Sequence, residues 1–312
     1  MTLEDRPDVS GVNKRGRPAA LETFRLLMYV PHPHAEIAVQ ARHAIERFVD
    51  LVSLDALAYT FGVDGDPIKL TPQVYRELIY DWFFGPFSEW PNANISLVGP
   101  GGSMPQYALT YCGKALGDID PPNGVGFLDM WVPRSFFVQN VGAIQTLFQA
   151  TASELGACAG YMAPTLAGNN GLVNQALAAR YVTLDIADPM TVSFGLGTTS
   201  SPGSYWFNYA GPALAAALGP ASEIVQAVGR SVAVKELADG ALVVRLERSP
   251  VLGDRNRRED VTAYAAFARY LYTKGLLHVP KQSVYFQDAQ ALADRDAQDA
   301  WHLRFVSSFP NA

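Results

Sequence analysis

Cysteine is nearly absent from this 312-residue chain: Cys112 and Cys158 are the only two. Each sits among apolar or small neighbours, so buried, reduced thiols are expected, and a disulfide-stapled fold of an oxidising compartment is excluded. Long hydrophobic runs are also missing. No apolar stretch approaches the roughly 18 residues that cross a bilayer. The polar opening "MTLEDRPDVSGVNKRGRP" lacks the apolar segment of a secretory signal. Positive charge is scarce as well. Lys and Arg number 24 against 30 Asp and Glu, which disfavours a sequence-independent grip on nucleic acid, because that needs a basic face. Together these absences predict a cytoplasmic protein with no membrane contact and no direct nucleic-acid contact. The 49% hydrophobic share predicts a folded body with a substantial core.

The pattern of elements predicts an α+β fold: a mixed sheet with packed helices. Residues 1–20 are expected to form a flexible tail and residues 21–312 a single continuous domain, since no convincing linker interrupts them. Phe24–Val30 is a strand candidate stopped by Pro31, and a helix follows over about 35–52. In that helix Ile37, Ala41, Ala44, Ile45, Phe48, Val49 and Val52 share one face. Ala56–Val63 is the next strand, closed by the turn "GVDGDP". Thr71 is a suitable N-cap with Pro72 at the first helical position, and Val74, Leu78 and Trp82 then recur on one face. "GPFSEWPNAN" and "GPGGSMP" are predicted loops. A strand over 125–132, a helix over 135–155 and a strand over 157–163 follow. Asp239-Gly240 between apolar arms is a hairpin signal.

One pattern occurs twice. "LLMYVP" at Leu26–Pro31 and "LDMWVP" at Leu128–Pro133 lie 102 positions apart. In each a strand ends at proline, which has no N–H to continue the ladder, and a helix and second strand follow. The candidate repeat spans 24–63 and 125–163. Its parts are packing residues, so the echo is a feature of the fold before it is a site.

No catalytic constellation emerges. His32 and His34 flank Pro33 with no carboxylate or thiol cluster at metal-ligand spacing; solvated loop histidines are the simpler account. "GPGGS" lacks the Lys-Ser/Thr ending of a phosphate loop. No metal and no cofactor is expected. Acidic residues recur in turns: Asp64 with Asp66, Asp118 with Asp120, and Asp185 with Asp188. Most such residues are solvated, but the first two pairs are candidates for an acidic rim facing a basic partner. Trp90, between Glu89 and Pro91, is either a loop plug or an apolar anchor. In "RSPVLGDRNRRED", Asp254 or Asp260 is a candidate cap within a local ion-pair network.

The order of these segments resembles a type VI secretion immunity family, one that confers immunity to VRR-type nuclease effectors. The carrying landmarks are "FRLLMYVP", "YDWFFGPFSEWP", "GVGFLDMWVPRSFF" with "GYMAP" after it, "WFNYAGPALAAALG" and "RSPVLGDRN" before "AYAAFARYL", over about Phe24–Val279. "GTTSSPGSYWF" and the segment after Val279 depart from the family pattern. The resemblance implies a non-enzymatic protein whose partner is a cognate effector toxin, possessing no catalytic residues to carry over. On that reading Asp64, Asp66, Trp90, Asp118 and Asp120 are the candidate partner-binding residues. Two other readings stay open: an α+β enzyme with an aromatic pocket around Tyr205, Trp206 and Tyr209, and an adaptor of a secretion locus.

Overall fold

The computed structural model describes residues 8–62, 64–101, 104–117, 123–168, 171–229, 231–280 and 301–307. The α+β expectation holds. One eleven-stranded sheet runs through the protein. Its strands in chain order are β1 Ser10–Val12, β2 Pro18–Val30, β3 Tyr59–Phe61, β4 Pro67–Lys69, β5 Ala93–Val98, β6 Ala108–Gly113, β7 Gly126–Pro133, β8 Ala159–Ala167, β9 Phe207–Ala210, β10 Ala233–Glu236 and β11 Leu242–Arg245. Across the sheet the order is β10-β11-β9-β8-β2-β7-β6-β5-β3-β4, with β1 paired to β2. Within the stretch expected to be a tail, Val9 is buried and β1 pairs antiparallel with β2.

The ladders between the named strands are antiparallel. The parallel strands of each strand-helix-strand unit are therefore not neighbours. Helix α1 (His34–Val52) links β2 to β3, with β7, β6 and β5 between them; α3 (Arg134–Glu154) links β7 to β8, with β2 between them. The echoed motifs meet at the centre. Leu26 pairs with Met130 and Met28 with Leu128, so each copy's Leu faces the other's Met across a local two-fold at the Leu27–Asp129 pair. Each helix starts after a proline in extended conformation, Pro33 (φ −55°, ψ 143°) and Pro133 (φ −57°, ψ 147°). In the first copy that cap lies two residues beyond the echoed Pro31.

Both helices pack on one face of the sheet. Phe24 of β2 stacks on Phe137 of α3 with ring centroids 3.5 Å apart, and Trp206 meets both rings edge-on. Leu26, Met130, Leu109 and Leu97 align across β2, β7, β6 and β5 on that same face, all fully buried. The opposite face differs between the two halves. Over β8 and β9 it is covered, and all nine residues of β8 and all four of β9 are buried. Over β5 it is open: β5 alternates between buried Ala93, Ile95 and Leu97 and the more accessible Asn94, Ser96 and Val98. Strands buried on both faces need apolar residues at every position, whereas a strand with one wet face needs alternation.

Arg25 marks the boundary between the halves. Its guanidinium grips Asp129 with two bonds (Nε–Oδ1 2.9 Å, Nη2–Oδ2 2.6 Å), and Nη1 donates to Asp185 Oδ2 and the Ala187 carbonyl, both at 2.8 Å. Tyr161 donates to Asp185 Oδ2 at 2.7 Å, and Trp131 Nε1 to Asp129 Oδ1 at 2.8 Å. Burial alone disfavours the cation, but the adjoining carboxylates hold the Arg25 pKa well above its ordinary value. Asp185, expected in a solvated turn, is instead wholly buried here, while Asp188 caps the short helix Pro189–Ser193.

Candidate functional site

The open half of the sheet carries the site, and helix α2 (Pro72–Phe83) builds it. Thr71 caps the helix by accepting a bond from Val74 N at 3.2 Å, and Pro72 follows at its first position, as the sequence predicts. Spacing of four places Val74, Leu78 and Trp82 in one stripe. Beyond Phe83 the chain turns back on itself. Phe84 N and Gly85 N both donate to the Tyr80 carbonyl (2.8 and 2.7 Å), Phe87 N to Asp81 O (2.9 Å), and Trp90 N to Phe87 O (3.0 Å). These bonds hold an aromatic wall: Trp82 lies 5.2 Å from Phe87 and 5.9 Å from Trp90, edge-on, and Phe87 lies 4.7 Å from Trp90.

Facing the α2 stripe is the β3–β4 hairpin, which presents Thr60, Phe61, Gly62 and Ile68. Between the two lies a groove of about 620 Å³. Asn92 and Asn94 also line it, and Glu77 and Asp81 are its charged members; among the described residues no Lys or Arg lines it. Large apolar groups remain accessible around it, with Trp90 45%, Ile68 42% and Phe61 41% exposed. Exposed apolar surface clustered in this way marks binding sites rather than ordinary surface.

Of the candidate partner-binding residues, one lines the groove and two lie on an adjoining turn. Trp90 lines the groove as a half-exposed member of the aromatic wall. Asp64 and Asp66 are exposed in the turn that leaves the groove-lining Gly62. Asp118 and Asp120 lie outside the described residues. Sequence reasoning missed Phe61, Ile68, Glu77 and Asp81, whose only sequence signal was a strand candidate and an amphipathic helix.

Other candidate sites dissolve. Tyr205, Trp206 and Tyr209 do not form a pocket: they are 1%, 1% and 2% exposed. Tyr205 stacks on Tyr161 at 3.6 Å, and Trp206 Nε1 donates to the Glu247 carbonyl at 2.9 Å. His34 is not a solvated loop residue; it opens α1, is 1% exposed and pairs through Nδ1 with Tyr111 OH at 2.9 Å. His43 pairs with Glu154 at 3.0 Å. Cys158 is buried, which pushes its thiol pKa up to about 12. Among the described residues no group of three or more His, Cys, Asp or Glu could hold a metal ion, and no helix is long and apolar enough to cross a membrane. Asp254 accepts from Asn256 N and pairs with Arg180 at 2.9 Å, giving the capped ion-pair cluster expected there.

Comparison with known proteins places this architecture. Residues 96–305, about two thirds of the chain, match the family model TsiV, type VI immunity for VRR-NUC. The chain belongs to this family. A TsiV protein serves immunity in type VI secretion, neutralising an effector of the VRR-NUC kind. A solved structure, the Pseudomonas aeruginosa T6SS protein PA0821, has the same fold, with a TM-score of 0.73, 15% identity, and coverage of 97% of this chain and 89% of that one. No curated protein matches. The matched region begins at Ser96, so α2 and the β3–β4 hairpin, the two principal walls of the groove, precede it.

Proposed function

We propose that this TsiV protein acts without catalysis, in the cytoplasm, by seating part of one cognate effector in the α2–hairpin groove and so obstructing the effector's own site. The observation that carries this reading is the groove itself: lined mostly by apolar and aromatic side chains, with Glu77 and Asp81 among them and no cation among its described lining residues. A nuclease binds a polyanion and so presents positive charge at its substrate cleft. An acidic rim complements that charge and speeds encounter, while aromatic anchors slow release. Asp64 and Asp66, on the turn beside the groove, extend the acidic rim.

The test is capture of the effector encoded beside this protein, combined with growth rescue of cells that express it. Asp64→Lys with Asp66→Lys should slow association by roughly tenfold at low salt, with a smaller effect at high salt, and weaken protection. Unchanged association and rescue would remove this rim from the interface.

A further inference from the structure

We propose that the effector element held by this groove is a cationic amphipathic helix rather than a strand. The inference rests on the groove being the effector site. Three observations lead to it.

The first is the shape of the lining. Val74, Leu78 and Trp82 span two helical turns, about 12 Å at 1.5 Å per residue, and remain in line along one side of the groove. A row of apolar side chains at helical spacing is matched by another such row, with knobs at i, i+4 and i+7. The second is the sheet edge beside it. Strand addition needs a row of free backbone groups, and β4 offers very little: it has three residues, and it opens with Pro67, which has no N–H. The third is charge. Glu77 and Asp81 sit one turn apart on α2 at spacing i, i+4 and both line the groove. Lys or Arg side chains at the same spacing on a facing helix would meet them, with their methylene stems lying over Phe61 and Ile68.

Site-directed cross-linking tests the idea. Cys112 and Cys158 are buried, so Leu78→Cys can be labelled selectively with a maleimide benzophenone and irradiated in complex with the adjacent-gene effector. Peptide mapping should then find the adduct in an effector helix with apolar residues at i and i+4 and flanking Lys or Arg. Reversing two of those cations to Glu should weaken binding at least tenfold, and Glu77→Lys with Asp81→Lys in this protein should restore part of it. An adduct in an extended or acidic effector segment overturns the helix and leaves the groove reading standing. A complex that forms but yields no adduct from either Leu78→Cys or Val74→Cys, while Gln139→Cys on α3 confirms that labelling works, overturns both. If the Leu78 label prevents assembly, the Val74 position and the charge swap still decide the matter.

Discussion

The two halves of the sheet share a first face and differ in the second. On the β8–β9 side the second face is sealed by Tyr205 stacked on Tyr161 and by the Asp185 segment bound to Arg25. On the β5–β3 side Asn94, Ser96 and Val98 stay more accessible than their neighbours, and exposed apolar groups line the groove. The lesson is a division of labour. The sealed half buries both faces and ties Arg25 to Asp129 and Asp185, and on the proposed reading the open half leaves surface for a partner. Mutations should therefore damage stability in one half and binding in the other.

The largest effect is expected where the halves join. Arg25→Ala leaves Asp129 and Asp185 as carboxylates without their cation, and removing one partner of a buried ion pair costs about 3–5 kcal/mol. Denaturant unfolding should show an unfolding free energy lower by that amount. A loss below about 1 kcal/mol would mean that the network is not what ties the two halves together.

Much of the fold was legible in the sequence, because its signals are local. Thr71-Pro72 caps, Asp239-Gly240 turns and apolar periodicity each act over a few residues, and α1, α2 and α3 begin within a residue or two of the expected positions. What escaped was long-range. Asp185 looks like any turn aspartate until Arg25, 160 positions away, is brought beside it. Strand β5 was hidden between Trp90-Pro91-Asn92 and Gly99-Pro100-Gly101, loop punctuation on both sides of only six residues. For the groove, Trp90, Asp64 and Asp66 could be picked out by type, but their proximity depends on α2 and the β3–β4 hairpin packing together.

On the open half, Trp90→Ala should reverse the pattern. Trp90 is 45% exposed, so unfolding free energy should change by about 1 kcal/mol or less. Effector affinity should fall by about 2 kcal/mol, roughly 30-fold, as for an aromatic anchor at the centre of an interface. Calorimetry of both quantities on one sample checks the separation. A large stability loss with unaltered affinity would make Trp90 a plug for the loop instead.

The sealed half should also respond to acid. Burial lowers the His278 pKa from the ordinary 6.5 to about 4. The unfolded chain then takes up this proton near pH 6.5 while the folded protein resists it until near pH 4. Stability from this group is thus fully present above pH 6.5 and is lost as pH falls from 6.5 to 4. The loss should amount to about 1–2 kcal/mol after allowance for partial solvent access. His278→Gln should flatten the pH dependence in that window, measured by unfolding at pH 7 and pH 4.5. An unchanged slope would assign the acid sensitivity elsewhere.

The smallest effect separates the open sheet face from the groove. Ser96 lies on the uncovered face of β5, in register with Thr110 of β6. Its equivalent across Asp129 and Leu27 is Tyr161, fully buried in the sealed half. Ser96→Lys can rest its methylene stem on the sheet and keep its amine in water, so stability should move by no more than about 0.5 kcal/mol. Ser96 itself does not line the groove, although Asn94, two residues away on the same face, does, so effector capture should change little. If Ser96→Lys abolishes capture while the protein stays folded, the uncovered face is itself part of the interface. The effector would then wrap the β4 edge of the sheet rather than enter the groove alone, and a single partner would cover both the groove and the uncovered face of β5.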